Sequence, residues 1–338
     1  MKNIFITLLA FVFLAASCSK WTDYEDLHYH KTPAELDPDG YAAHLASIRQ
    51  YKASEHRIMM LTMSGVSHFP SHPVQHPMNM PDSADYIFMK NLDNLHPAIV
   101  NEISKVRQTK ATKFLSYVDY APIMEKWNAM EDAKLEASKP AGTVDEIRAF
   151  FKQEALKQIE FCGMYGFDGL LVSFVGNKKN EMFEAAHDGF FEPVIEWHYD
   201  NPDKEIVLRG SVVNITDRKF VSDCTYYLIL GESDESKVQI NNKIRRNIGQ
   251  GVPKDRMVLE LTVPSADVPE QVGLTPYEAA VKWLLPTLKL DEEGNPIPGA
   301  VPEDISPCGM AVENAQDDYY DKDITFKRIR AGITAMAN

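Results

Sequence analysis

The chain has 338 residues of ordinary globular composition, enough for one large α/β barrel or two smaller domains. Its 49 acidic residues outnumber its 35 basic ones, for a formal charge of −14. That balance argues against nucleic acid or an anionic lipid surface as partner and is compatible with neutral ligands such as sugars. Four cysteines stand far apart with no Cys-x-x-Cys spacing, which speaks against a disulfide framework and against a zinc site.

Taken in chain order, the first feature is a secretion signal over residues 1–17. Lys2 supplies the positive start, and 4–16 form an apolar run too short to span a bilayer. The run ends in Leu14-Ala15-Ala16-Ser17-Cys18. Small residues before a cysteine are the pattern of a bacterial lipoprotein signal, so Cys18 is the expected acylated residue. Acyl chains would hold the protein at a membrane without a spanning segment. Residues 18–50 read as acylated cysteine, tether and N-terminal helix. The polar, acidic start of the tether resembles those of Bacteroidetes surface lipoproteins, which implies an outer-membrane address. Thr32-Pro33-Ala34-Glu35 has the shape of a helix start, Pro38-Asp39-Gly40 predicts a turn, and a helical pattern returns over 41–54.

Eight short apolar runs follow, at 57–63, 84–89, 113–118, 169–174, 205–213, 225–230, 257–263 and 309–312. Several are continuous hydrophobic stretches, as expected of parallel strands buried on both faces. Helical segments fall between them, at 97–108, at 143–165 with a Thr143/Glu146 capping box, from Thr275 with the same box, and at 324–336. Eight β-then-α units predict an α/β fold of the (β/α)8 TIM-barrel type over 51–338. An open doubly wound sheet is the rival. No Gly-rich phosphate loop follows any strand, which removes its nucleotide-binding forms, and no cofactor is expected. Residues 291–307 read as a long surface loop, and Cys162, Cys224 and Cys308 as buried free thiols.

In a barrel the chemistry sits where strands end. Residues 165–175 read Tyr-Gly-Phe-Asp-Gly-Leu-Leu-Val-Ser-Phe-Val. This resembles the signature strand of glycoside hydrolase family 18, Asp-Gly-x-Asp-x-Asp-x-Glu, usually preceded by Gly-Phe. Gly166, Phe167, Asp168 and Gly169 match it. Leu171 stands at the second Asp, Ser173 at the third and Val175 at the proton-donating Glu. In that family the Glu protonates the leaving oxygen, and the neighbouring Asp orients an acetamido group whose carbonyl oxygen attacks the anomeric carbon. This is the substrate-assisted exception to the two-carboxylate scheme. Val175 cannot donate a proton, so the resemblance implies a motif degenerate at Asp168, Leu171, Ser173 and Val175 with no catalytic residue left in it. Asp168 has the opposite strand parity to the catalytic positions, which predicts a structural role. The run Lys113-Phe114-Leu115-Ser116-Tyr117-Val118 resembles the family's third strand, with Asp119-Tyr120 where a Gly pair usually follows. The chain is most similar to Bacteroides lipoproteins grouped with this family.

Other strand-end groups are candidate ligand contacts. Asp119, Glu232, Glu260 and Glu313 are carboxylates that could replace the lost acid. Tyr120 follows Asp119, and the segment from Glu313 to Tyr320, with Asn314, Asp318 and Tyr319, combines hydrogen-bonding groups with rings suited to sugar faces. His68, His72 and His76 lie four apart, but Pro70, Pro73 and Pro77 break any helix that would align them, so no metal is expected. Trp127, Trp197 and Trp283 read as packing residues, and either Tyr226 or Tyr227 should point into the barrel. The favoured expectation is a surface lipoprotein that binds an N-acetylglucosamine-containing oligosaccharide such as an N-glycan on an inactive barrel, handing it to an outer-membrane importer. An active glycosidase using a displaced carboxylate and a structural or assembly lipoprotein are the alternatives.

Overall fold

The structure is a computed structural model that describes residues 33–177, 179–232, 234–263, 275–284, 293, 307–320 and 323–337. The signal segment, Cys18, the tether and nearly all of the 291–307 loop lie outside the described residues. The chain divides into two compact units after Ser47. The first holds α1 (Pro33–Leu36) and the start of α2 (Pro38–Ala53). Here Pro38-Asp39-Gly40 makes no separate turn. Asp37 accepts a hydrogen bond from the Gly40 N–H at 2.9 Å, and Pro38 occupies the first helical position, where its missing N–H costs nothing.

The second unit carries the barrel. Its first half runs β1 (Ile58–Ser64), β2 (Tyr86–Lys90), α3 (Pro97–Lys110), β3 (Lys113–Asp119), α4 (Tyr120–Glu136), α5 (Val144–Met164) and β4 (Gly169–Phe174). The second half runs α6 (Glu181–Asp200), β5 (Glu205–Gly210), α7 (Arg218–Asp223), β6 (Tyr226–Leu230), α8 (Lys237–Ile248), β7 (Met257–Leu261), α9 (Pro276–Ala279), β8 (Gly309–Val312) and α10 (Lys327–Ala337). The strands are all parallel, pair in sequence order and close β8 onto β1. This is a (β/α)8 TIM barrel. The capping boxes at Thr143/Glu146 and Thr275/Glu278 both form.

β5 is shorter than its apolar run. Gly210 ends it at φ +92°, where a Cβ would meet the Phe174 carbonyl oxygen at 2.4 Å. Val212–Asn214 then forms a 3-10 turn. Outward-facing strand residues pack against the helices in one large core. Inward-facing ones form a second core of Met60, Phe88, Leu115, Leu171, Val207, Val258 and their neighbours. That dry plug floors the C-terminal mouth of the barrel.

Candidate functional site

The period of two along each strand sorts the interior into tiers. Tyr86, Lys113, Glu205 and Tyr226 lie at the N-terminal end, the apolar plug in the middle, and Thr62, Lys90, Tyr117, Ser173, Arg209 and Glu260 towards the mouth. The register pairs Tyr117 with Leu171, Asp119 with Ser173, and Ser173 with Arg209. Glu313 follows β8 and joins the mouth through contacts with β1 and β2.

The motif residues split along β4. Asp168 accepts hydrogen bonds from Arg107 Nε and from the Phe114 N–H, both at 2.9 Å, and from Arg107 Nη2. It joins α3, β3 and β4 at the N-terminal end of the barrel, opposite the mouth. Gly169 is required by space, since a Cβ there would lie 2.0 Å from the Glu205 carbonyl oxygen. Leu171 is fully buried in the plug. Ser173 is buried, accepts from Arg209 Nη1 at 3.4 Å and is paired across the sheet with Asp119. Val175 lies just past the strand, 61% exposed at the mouth.

Charges at the mouth are paired with one another. Glu260 is buried and accepts from Arg209 Nε at 2.7 Å. Glu313 forms an ion pair with Lys90 and accepts from Thr62 Oγ1 at 3.3 Å. The Lys90 ammonium also sits 4.5 Å from the Tyr117 ring centroid. Glu313 lies near enough to Glu260 for the two charges to repel. Burial raises the Glu260 carboxyl above its ordinary range, and the nearby Glu313 charge adds to the shift while Arg209 opposes it. Asp119 caps α4 through the Ala121 N–H at 3.3 Å. Burial raises its carboxyl too, against the opposing hydrogen bonds from Ala121 and Ser173.

Of the four candidate carboxylates, Asp119, Glu260 and Glu313 therefore converge. Glu232 does not: it is exposed in the loop after β6, where its N–H donates to Glu235 Oε2 at 2.9 Å. Tyr120 turns away from the mouth because it opens α4 on the outer face of the barrel. Its ring packs against Phe151, Phe174 and Phe190 at 2% exposure. The segment after Glu313 is used for closure rather than display. Asn314 donates to the Val263 carbonyl at 2.8 Å and accepts from its N–H at 2.7 Å. Asp318 is buried and accepts from the Ile329 N–H at the start of α10. Tyr319 packs edge-on against Phe326. Tyr226 does point inward, but at the far end against Tyr86, while Tyr227 is buried outside the strands. His76 pairs with Glu102 at 2.6 Å, and His68 and His72 are exposed. Among the described residues no group of three or more His, Cys, Asp or Glu could hold a metal. Trp127 and Trp283 are buried, and Trp197 packs against the core.

Lys90, Tyr117 and Arg209 were not anticipated. A signal existed for Arg209: a lone arginine in a strand buried on both faces needs a buried partner. Tyr117 stands two positions before Asp119 and so shares its face.

Two cavities open from this centre. One of about 650 Å³ is polar, running from Lys90 and Tyr117 past Asp119 to Asp93, Lys126 and Gln158. The other, of about 350 Å³, lies between the β5 loop and α8, with Arg209 and Glu260 on its inner wall.

A closed (β/α)8 barrel with its polar centre at the strand C-termini is the layout in which such barrels build their sites. The family described as glycoside hydrolase family 18, BT1044-like, matches residues 22–266, and the chain belongs to it. No curated protein matches the chain in sequence. Among solved structures, a selenomethionine variant of BT1044 is similar at TM-score 0.58 and 12% identity, covering 90% of this chain and 95% of that one. The endo-β-N-acetylglucosaminidase from Cordyceps militaris in apo form is similar at TM-score 0.56 and 15% identity, covering 88% and 96%. A mutant of the same Cordyceps enzyme, in complex with fucosyl-N-acetylglucosamine-Asn, gives TM-score 0.56 and 15% identity over 91% and 97%. At these identities the likeness establishes the fold.

Proposed function

We propose that the protein binds an N-acetylglucosamine-containing oligosaccharide, such as an N-glycan, across the barrel mouth and does not cleave it by the family's route. One observation carries this reading. The three motif positions nearest the reacting bond hold a buried leucine, a buried serine bonded to Arg209 and an exposed valine. Loss of a general acid alone costs about 10²–10⁴ in rate. Glu260 and Glu313 are poor substitutes. Each is already engaged by a cation, Glu260 by Arg209 and Glu313 by Lys90, so neither faces a substrate as a free acid. The polar cavity suits binding, because carboxylate, amide and ammonium groups along it match sugar hydroxyls.

A second reading, hydrolysis with Asp119 as the acid, is favoured by one feature. Its carboxyl is raised by burial and lines the larger cavity. The test uses the chain carrying Cys18→Ser with N-glycans and chitooligosaccharides, reading heat by calorimetry and product by mass spectrometry. Heat without product supports the binding protein. Product that disappears in Asp119→Asn overturns it in favour of the second reading. The pattern at residues 1–18 supports a lipid anchor on Cys18, while a cell-surface outer-membrane location and delivery to a neighbouring importer rest only on the resemblance to Bacteroides lipoproteins. Labelled fatty acid that still incorporates in Cys18→Ala would remove that anchor.

A further inference from the structure

The smaller cavity differs in chemistry from the polar groove. Three apolar side chains form its outer wall: Val175, Val213 and Leu230, at 61%, 40% and 49% exposure. Three basic side chains line it, Arg209, Lys243 and Arg246, against the single carboxylate of Glu260. With Glu235 on Lys243, the cavity is left with one uncompensated positive charge on a chain whose formal charge is −14. The three cations are not equivalent. Arg209 is held by Glu260, and Lys243 by Glu235 at 2.7 Å and by the Leu230 carbonyl at 3.0 Å. Arg246 is exposed and makes no ion pair among the described residues. Beside it, Asn247 spends its amide N–H on the Lys243 carbonyl at 2.9 Å, which holds the side chain in place along the cavity wall.

We infer that this cavity is a subsite for a carboxylate-bearing sugar, such as sialic or uronic acid, with Arg246 as the group that recognises its charge. The inference rests on the glycan-binding reading and names part of its ligand. A guanidinium fork matches a planar carboxylate with two parallel hydrogen bonds, and Arg246, with no ion pair among the described residues, gives up none of those to make them. Arg209 and Lys243 are neutralised by Glu260 and Glu235 and do not compete for the contact. The apolar wall takes the C–H face of the ring, as apolar surface does in most small-ligand sites. A neutral sugar would use that wall and gain nothing from Arg246.

The test is calorimetric titration of the chain carrying Cys18→Ser with a sialylated biantennary N-glycan and with the same glycan after enzymatic removal of its sialic acids. The expected result is at least about tenfold tighter binding of the acidic form, the size of one charge-assisted contact. Raising the salt concentration should reduce that preference. In Arg246→Gln the preference should vanish while affinity for the neutral glycan stays at the parent value. Arg246 is exposed, so the variant should keep its thermal midpoint. Equal affinity for both glycans would overturn the acidic subsite and leave the mouth reading standing. Binding of neither would overturn the mouth reading and this inference with it. A full preference retained in Arg246→Gln would also overturn the assignment.

Discussion

The two ends of β4 carry opposite halves of one motif. At the N-terminal end Asp168 and Gly169 remain, and both build the barrel. One ties Arg107 and the β3 backbone, and the other lets β4 approach β5 where any Cβ would collide. At the C-terminal end the side chains that would do chemistry are replaced by Leu171, Ser173 and Val175. The half that matches the family is the half that geometry demands. A motif match at its first positions therefore reports the fold and says little about the reaction.

The largest expected effect comes from forcing chemistry back into the dry tier. Leu171→Asp places a carboxylate in the apolar plug and should cost about 3–5 kcal/mol, or raise its pKa far enough to stay neutral. A urea midpoint close to that of the parent would break the comparison by showing that the plug is wet. Next, Asp168→Ala should cost about 2 kcal/mol in denaturant unfolding, from the loss of charged hydrogen bonds in a partly exposed site, with glycan affinity unchanged. A loss of affinity without a loss of stability would move Asp168 from scaffold to site.

Glu260→Gln sharpens the contrast through pH. Burial raises the Glu260 carboxyl, so the folded chain holds that proton more tightly than the unfolded one. This contribution is fully present below the unfolded value and is lost as pH rises through the folded value. The stability of the parent relative to Glu260→Gln should therefore shrink between acid and neutral pH. Melts in matched buffers would show it, and a gap that widens instead would refute the buried, raised carboxyl. The smallest effect belongs to Val175→Glu. On an exposed site it should shift stability by no more than about 0.5 kcal/mol, and by itself it should produce no cleavage, because its partners at 171 and 173 are missing.

The barrel was legible because its eight apolar runs are short, evenly interrupted and separated by capped helices. Strand ends were less so. The β5 run continues in composition past Gly210, and only the backbone shows that a left-handed glycine stops it. Half of the mouth could be read from strand ends, since Asp119, Glu260 and Glu313 fall where parallel strands finish. Tyr120, Asn314, Asp318 and Tyr319 misled because polarity near a strand end does not say whether a side chain faces ligand, caps a helix or clamps a neighbouring strand. Lys90 is visible only once register pairs each strand with the next, whereas Arg209 carried a signal of its own as a lone arginine in a buried strand.

The seam between β1 and β8 has a consequence for how the chain assembles. Gln316 accepts from the Ser64 N–H at 2.7 Å and donates to the Val74 carbonyl, while Thr62 reaches Glu313. Ser64 and Gln316 stand 252 positions apart. Closure therefore waits until nearly the whole chain has emerged, and until then β1 and β7 present unpaired edges of apolar sequence. Contacts of such range make folding slow. During synthesis, the interval before β8 arrives is when this protein is most exposed to aggregation and most dependent on being held by a chaperone.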